Sequence, residues 1–180
     1  MSDFLPNQMV LERITLKRLT LDNAEQFFSI LHSQISFFDP FLDISGRFQT
    51  LQKCQDWFAI NEEKYHKHEA IQYGIFLADN TMIGVVDSLY MKSEHQKADM
   101  GYWLSEKNTG FGYMREALAA LEKALYSIGY RRFRILCDEQ NERSANVAKK
   151  LGYELECLMK RERIMGGIPR NTLQFAKVFD

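Results

Sequence analysis

Hydrophobic positions along the chain switch repeatedly between a period of two and a period near 3.6. Residues 10–18 (VLERITLKR) alternate apolar and polar side chains, the pattern of a half-buried strand. Asp22 then precedes a run in which Ala24, Phe27, Phe28 and Leu31 share a face, which predicts a helix with an acidic start. A second helix is predicted over 47–68, polar and charged except at Leu51, Trp57, Phe58 and Ile60. Residues 72–78 (QYGIFLA) and 82–90 (MIGVVDSLY) read as strands joined by a turn at Asp79-Asn80, and 97–104 (KADMGYWL) as a third. Leu118, Leu121, Leu125 and Ile128 fall on one stripe of 113–128, and Gly129 ends that run. A strand at 132–137 (RFRILC), a helix at 142–151 and strands near 153–164 and 171–178 complete the chain. The predicted order is βααβββαβαββ, an α/β (α+β) fold with a mixed sheet and helices on both faces.

Composition narrows the classes. The 180 residues contain no internal repeat or low-complexity tract, and prolines occur only at 6, 40 and 169, so a single domain over 1–180 is expected. A formal net charge of -1 lacks the basic excess of a dedicated nucleic-acid binder. Cys54, Cys137 and Cys157 are odd in number without a CxxC spacing, as in a reducing compartment. Met1 to Val10 has no basic-then-apolar leader pattern, and no apolar run reaches the ~20 residues of a membrane span. A cytoplasmic location away from membranes is therefore expected.

The stretch from Gly101 to Ala117 carries the most chemistry. A strand enters a short loop holding Gly110 and Gly112, and the loop opens directly onto a helix. Backbone N–H groups in a first helical turn lack internal partners, and the macrodipole adds positive potential, so that end suits an anion such as a pyrophosphate. Glycine at 110 and 112 lets the backbone approach phosphates closely. A dinucleotide fingerprint would need a third glycine near 115, where Arg115 stands, and no Gly-Lys-Ser/Thr of a Walker loop occurs.

Lys107-Asn-Thr-Gly110-Phe-Gly112, followed by Glu116-Ala117, resembles the cofactor loop of the GNAT superfamily of N-acetyltransferases. With Asp99-Met-Gly-Tyr-Trp-Leu104 and Asn141-x-x-Ser144-x-x-Val147-x-x-Lys150-Leu-Gly-Tyr153, the chain is similar to the RimJ/RimL branch, which acetylates protein N-termini, ribosomal proteins among them. The resemblance implies a mostly antiparallel seven-stranded GNAT sheet and acetyl-CoA as cosubstrate. It implies that Trp103 and Leu104 line the pantetheine arm and that Thr109, Gly110, Phe111, Gly112, Tyr113 and Met114 take the pyrophosphate. It further implies that Asn141 bonds the pantetheine or a water, that Lys149 reaches the nucleotide phosphate, and that an N–H near Leu104 meets the oxyanion. Lys107 departs from the family's usual Arg or Gln, and Thr109 stands where a basic residue is common.

Acetyl transfer needs a neutral amine, a donor for the oxyanion and a proton for the leaving thiolate. Many superfamily members place a Tyr acid four residues before the last motif's Gly, where this chain has Ala148. In the RimJ/RimL branch the donor is implied to be Ser144, whose plainer role is the first turn of a helix that Asn141 would cap. Asp99 is the candidate base, with an ordinary surface-strand role as its alternative. An α-amine of pKa ~7.8 is far more neutral near pH 7.5 than a lysine of pKa ~10.4, which eases the demand for a base. Cys137, ending an apolar strand, reads as a buried structural thiol, and His66 and His68 have no third ligand, so no metal is expected. Phe37, Phe38, Phe41 and Trp57 fall where the family builds its acceptor pocket, though core packing also accounts for them. The expected acceptor is a protein N-terminus. The alternatives are a small amine (aminoacyl-nucleotide, polyamine or antibiotic) and a non-catalytic acyl-CoA-binding module; a homodimer is left open.

Overall fold

A computed structural model of the chain describes residues 4–180. It contains one eight-stranded sheet, with strands in the order β1-β2-β3-β4-β5-β6-β8-β7. The strands are β1 (Gln8–Val10), β2 (Thr15–Arg18), β3 (Ile71–Phe76), β4 (Met82–Lys92), β5 (Lys97–Leu104), β6 (Arg132–Asp138), β7 (Glu154–Met165) and β8 (Ile168–Val178). The helices are α1 (Ala24–Ser33), α2 (Ile35–Leu42), α3 (Ile44–Arg47), α4 (Leu51–His66), α5 (Tyr113–Ser127) and α6 (Glu142–Lys150). Every pairing is antiparallel except β5 with β6, the two strands that the α5 crossover joins.

The sheet has eight strands where seven were predicted, because 10–18 is not one strand. Leu11 N–H donates to the Ile14 carbonyl at 2.9 Å, a turn that splits the run into β1 and β2. The helix predicted over 47–68 is the shorter α4, which starts after Thr50 accepts from Lys53 N–H as its cap. The helices α2 and α3 were not foreseen. In α2 apolar residues crowd most of the circumference and Pro40 interrupts the ladder, so tertiary packing rather than periodicity holds it.

Alternation along the strands feeds two cores. Phe133, Ile135 and Cys137 of β6 and Ala98 and Met100 of β5 pack with Leu118, Leu121 and Leu125 of α5. Full burial of each such leucine contributes roughly 1.5–3 kcal/mol. On the opposite face Phe27, Phe38, Phe48 and Phe58 of the first four helices and their loops meet Val85 of β4, with Trp103 against them.

One irregularity positions the site. β5 pairs with β6 only at Lys97–Asp99 against Arg132–Arg134. β5 then continues against β4 to Leu104, while β6 continues against β8 to Asp138. Beyond Asp99 the two strands part, opening a wedge in the sheet whose β5 edge has no strand partner.

Candidate active site

The loop at the far end of β5 has the geometry expected of a phosphate cradle. Gly110 and Gly112 sit at φ +88° and +86°, a left-handed conformation that side chains other than glycine adopt at a cost. Gly112 is also the N-cap of α5, and no side chain caps that helix, so its first N–H groups face outward. Arg13 pins the loop: Nη1 donates to the Phe111 carbonyl at 2.8 Å, while Nε and Nη2 grip the Glu116 carboxylate at 2.9 and 2.8 Å. A groove of about 420 Å³ lined by Leu11, Glu12, Arg13, Gly112, Arg115 and Glu116 lies beside it. Uncapped donors, two guanidinium groups and a glycine backbone fit a pyrophosphate. Thr109 Oγ1 donates to the Glu106 carbonyl at 2.8 Å and holds the loop's own turn. Exposed Phe111 stacks on Tyr113, whereas Met114 points into the core, so only its backbone borders the loop.

Across the wedge stands α6. Asn141 Oδ1 accepts from Ser144 N–H at 3.1 Å, making Asn141 the N-cap as its type favours. Ser144 Oγ lies 2.9 Å from Tyr102 Oη, and Tyr102 also donates to the Ser144 carbonyl at 3.1 Å. Tyr102 has a single proton, which either the Ser144 carbonyl or Oγ can accept; when Oγ accepts it, the Ser144 hydroxyl is left to donate elsewhere. Burial raises the Tyr102 phenol, with the Ser144 hydrogen bond opposing, which keeps it protonated at neutral pH. Cys137 is buried beneath this pair. Burial raises its thiol, and the Ser144 hydroxyl and then Arg163 pull it back. Ala148 is fully buried, so no side chain replaces the missing tyrosine there. Lys149 projects from the last turn of α6, and among the described residues no hydrogen bond or ion pair joins it to the 109–114 loop.

The β5 side chains divide between the two faces. Leu104 joins the α5 core, while the Trp103 ring packs edge-on at 5.4 Å against Phe27 and Phe38. Trp103 thus offers the wedge its backbone rather than its ring. Phe38 and Trp57 belong to the same aromatic cluster. Phe37 instead lies 5.1 Å from the Arg143 guanidinium of α6, and Gln34 Oε1 accepts from Glu106 N–H at 2.8 Å. These two contacts draw the start of α2 over the mouth of the wedge.

Asp99, the candidate base, is engaged by Arg134, an arrangement that fits its alternative role as a strand residue. Both carboxylate oxygens accept from Arg134, Oδ1 from Nε and Oδ2 from Nη2, each at 2.7 Å. A fork-to-fork pair takes one lone pair of each oxygen and ties the carboxylate to Arg134. Asp99 stitches β5 to β6 at the point where they part.

Three groups escaped the sequence reading. Tyr102 is one. Asp87 of β4 is another: it is 8% exposed, and burial pushes its carboxyl up to about 7, with Arg47 opposing. An aspartate inside the apolar run MIGVVD was the available signal. The third is a cluster at the end of β6. Arg163 and Arg170 face each other across β7 and β8, with buried Asp138 between them: Arg170 Nη2 is 2.8 Å from Oδ1 and Arg163 Nη2 3.8 Å from Oδ2. A bulge between Met159 and Arg163, with Arg161 at φ +54°, aims Arg163 there. Two cations opposite one carboxylate leave an excess positive charge.

Residues 13–154 match the acetyltransferase (GNAT) domain. The chain belongs to the GNAT acetyltransferase family. It is 28% identical over 116 residues to the ribosomal-protein-serine acetyltransferase of Escherichia coli, a match spanning 64% of this chain and 65% of that enzyme. Its fold is that of the RimL ribosomal L7/L12 alpha-N-protein acetyltransferase in complex with coenzyme A. There the TM-score is 0.90, with 24% identity, 96% of this chain and 97% of that one. It is similar as well to the microcin C7 self-immunity acetyltransferase MccE in complex with acetyl-CoA and AMP, at TM-score 0.89 and 21% identity, covering 98% and 99% of the two chains. The GNAT chain is an N-acetyltransferase, with acetyl-CoA as its cosubstrate. No helix among the described residues is long and apolar enough to cross a membrane.

Proposed function

We propose that the whole chain acts as one cytoplasmic acetyltransferase unit on the N-terminal α-amine of a protein, of the ribosomal-protein type. The observation that carries the reading is the wedge between β5 and β6, with a phosphate cradle at one end and the Tyr102–Ser144 pair spanning it. N–H groups of residues 110–114 hold the pyrophosphate, and the β5 edge at Trp103 and Leu104 lies along the pantetheine. Asn141 Nδ2 and Lys149 are the further cofactor contacts. The Ser144 hydroxyl, backed by Tyr102, gives its proton to the leaving sulfur. The start of α2, held to Arg143 and Glu106, would border the acceptor's approach. An α-amine also demands less deprotonation than a lysine, by roughly 3.5 kcal/mol. Likeness to the ribosomal-protein-serine acetyltransferase supports the same acceptor.

The test offers one peptide with a free N-terminus and an internal lysine, then locates the acetyl group by fragmentation. Acetylation at the N-terminus is expected; acetylation at the lysine alone overturns the reading. The excess charge at Arg163 and Arg170 supports a second reading, a small amine carrying an anionic group such as an aminoacyl-nucleotide. Rapid turnover of such an amine, with every peptide inert, would establish it.

A further inference from the structure

Asp87 lies in a row that crosses the sheet on the α1–α4 face. Its cross-strand neighbours are Gln72 on β3 and Gly101 on β5, and the next position beyond Gly101 is the opening where β6 has parted from β5. Gly101 carries no side chain, and the Asp87 carboxyl occupies the space that one would take. A Cβ at 101 would lie only 3.2 Å from Asp87 Cγ and closer still to Oδ1. The carboxyl therefore reaches over β5 toward the wedge. It is nine-tenths buried, yet among the described residues no hydrogen bond or ion pair engages it. A buried carboxylate without a hydrogen-bond partner is costly unless something else meets it.

We propose that Asp87 is the acceptor-binding and proton-accepting residue of the acetyl transfer, receiving a primary ammonium group over Gly101. This rests on the acetyltransferase reading and names the residue that prepares its amine. The Asp87 carboxylate takes one proton from the ammonium: an N–H bond breaks and an O–H bond forms. The neutral nitrogen then bonds to the thioester carbonyl carbon as the C–S bond breaks. The second nitrogen-bound proton passes to the Ser144 oxygen and replaces the one that Ser144 gave to sulfur, and Asp87 returns its own to solvent. The charged groups facing Asp87 are few. Arg47 of α3 lowers its affinity for a proton, Asp99 on the same face is held by Arg134, and Gln72 is neutral, with its Nε2 unpartnered. Burial outweighs Arg47, so the group titrates near an α-amine rather than far below it.

The experiment compares wild type with Asp87→Asn, using an N-terminal peptide acceptor and acetyl-CoA. The CoA-induced rise in Tm checks that each variant is folded, and Asp87→Ser repeats the test if the Asn variant lacks that rise. Loss of a general base predicts a fall in kcat/KM of roughly a hundredfold or more, with the acetyl-CoA KM unchanged. Wild-type kcat/KM should rise through about pH 7 as Asp87 ionises and fall above about 7.8 as the free amine loses its proton. The Asn variant, which can use only neutral amine, should keep a single rise near the amine's own pKa. An Asn variant within threefold of wild type and with the wild-type profile overturns the role of Asp87 alone. Absence of transfer by the wild-type chain to any amine overturns the acetyl-transfer reading beneath it.

Discussion

On the α5 side of the wedge, the features that fit a cofactor are main chain: two left-handed glycines, an uncapped helix start and a loop pinned by Arg13. On the α1–α4 side the groups proposed for the acceptor are side chains: Asp87 in a cross-strand row with Gln72 and Gly101, and the Arg163–Arg170 pair that meets the Asp138 carboxylate. A pyrophosphate has one chemistry, and backbone N–H groups meet it with little dependence on the side chains around them. An acceptor amine differs from enzyme to enzyme, and side chains must distinguish it. The first surface depends on conformation, the second on charge.

The largest effect should come from breaking the conformational half. Gly112→Asp forces a side chain into a left-handed position beside Arg115 and Arg13 and places an anion where phosphates would sit. Each charge-assisted hydrogen bond lost there is worth about 1.5–3 kcal/mol, so CoA affinity should fall by roughly two orders of magnitude or more. Titration calorimetry would measure it, with circular dichroism confirming the fold. Unchanged affinity would remove the loop from the cofactor site.

The difference between the halves also decides what the sequence could show. Glycines between a strand and a helix announce a conformation locally, and so do the apolar stripe of α5 and the Asn141 cap of α6. The acceptor half depends on register. Asp87 meets Gly101, and Arg163 meets Arg170, only once β4, β5, β7 and β8 are paired, and a bulge at 160–162 sets the last of these. The Arg134 partner of Asp99 was equally hidden, because it lies 35 positions away along the chain and comes beside it through a parallel pairing. The strand count differed for a local reason, the tight turn at Leu11–Ile14 inside an alternating run.

Ser144 joins the halves, and its loss should rank second. Ser144→Ala should lower kcat by roughly ten- to a thousand-fold with the acetyl-CoA KM little changed. Tyr102→Phe, which keeps the serine and removes its partner, should cost less. A kcat within twofold of wild type for Ser144→Ala would leave the serine only its place in the first turn of α6.

Asp87 should also mark the acceptor half by its effect on stability. Its carboxyl titrates at about 7 in the folded chain against an ordinary 3.8, so the folded state holds the proton more tightly than the unfolded state does. Between about pH 4 and 7 the unfolded chain deprotonates first, and stability falls as pH rises, by an amount on the order of a few kcal/mol. Asp87→Asn removes that dependence. The variant should therefore unfold at a higher Tm than wild type at pH 8, with the gap narrowing at pH 5. A gap independent of pH would mean that Asp87 is not a strained carboxylate.

Asp99→Asn is the smallest and sharpest contrast, because it alters a carboxylate two residues from Gly101 on the same strand. If Asp99 only ties β5 to β6, its loss leaves Arg134 without a partner for its fork. The pair is partly buried, with side chains 18% and 26% exposed, so some of its attraction survives solvent screening. Unfolding free energy should fall by about 1–2 kcal/mol, between the values typical of exposed and of buried pairs. Acetyl transfer at saturating substrates should change by no more than a few-fold, since both carboxylate oxygens are spent on the Arg134 fork rather than on the acceptor. Denaturant unfolding and steady-state kinetics on the same preparation would separate the two effects. A hundredfold loss of kcat with stability intact would return the base to Asp99 and reduce Asp87 to a buried strand residue. Lost stability with activity kept would leave Asp99 as the clamp at the vertex of the wedge.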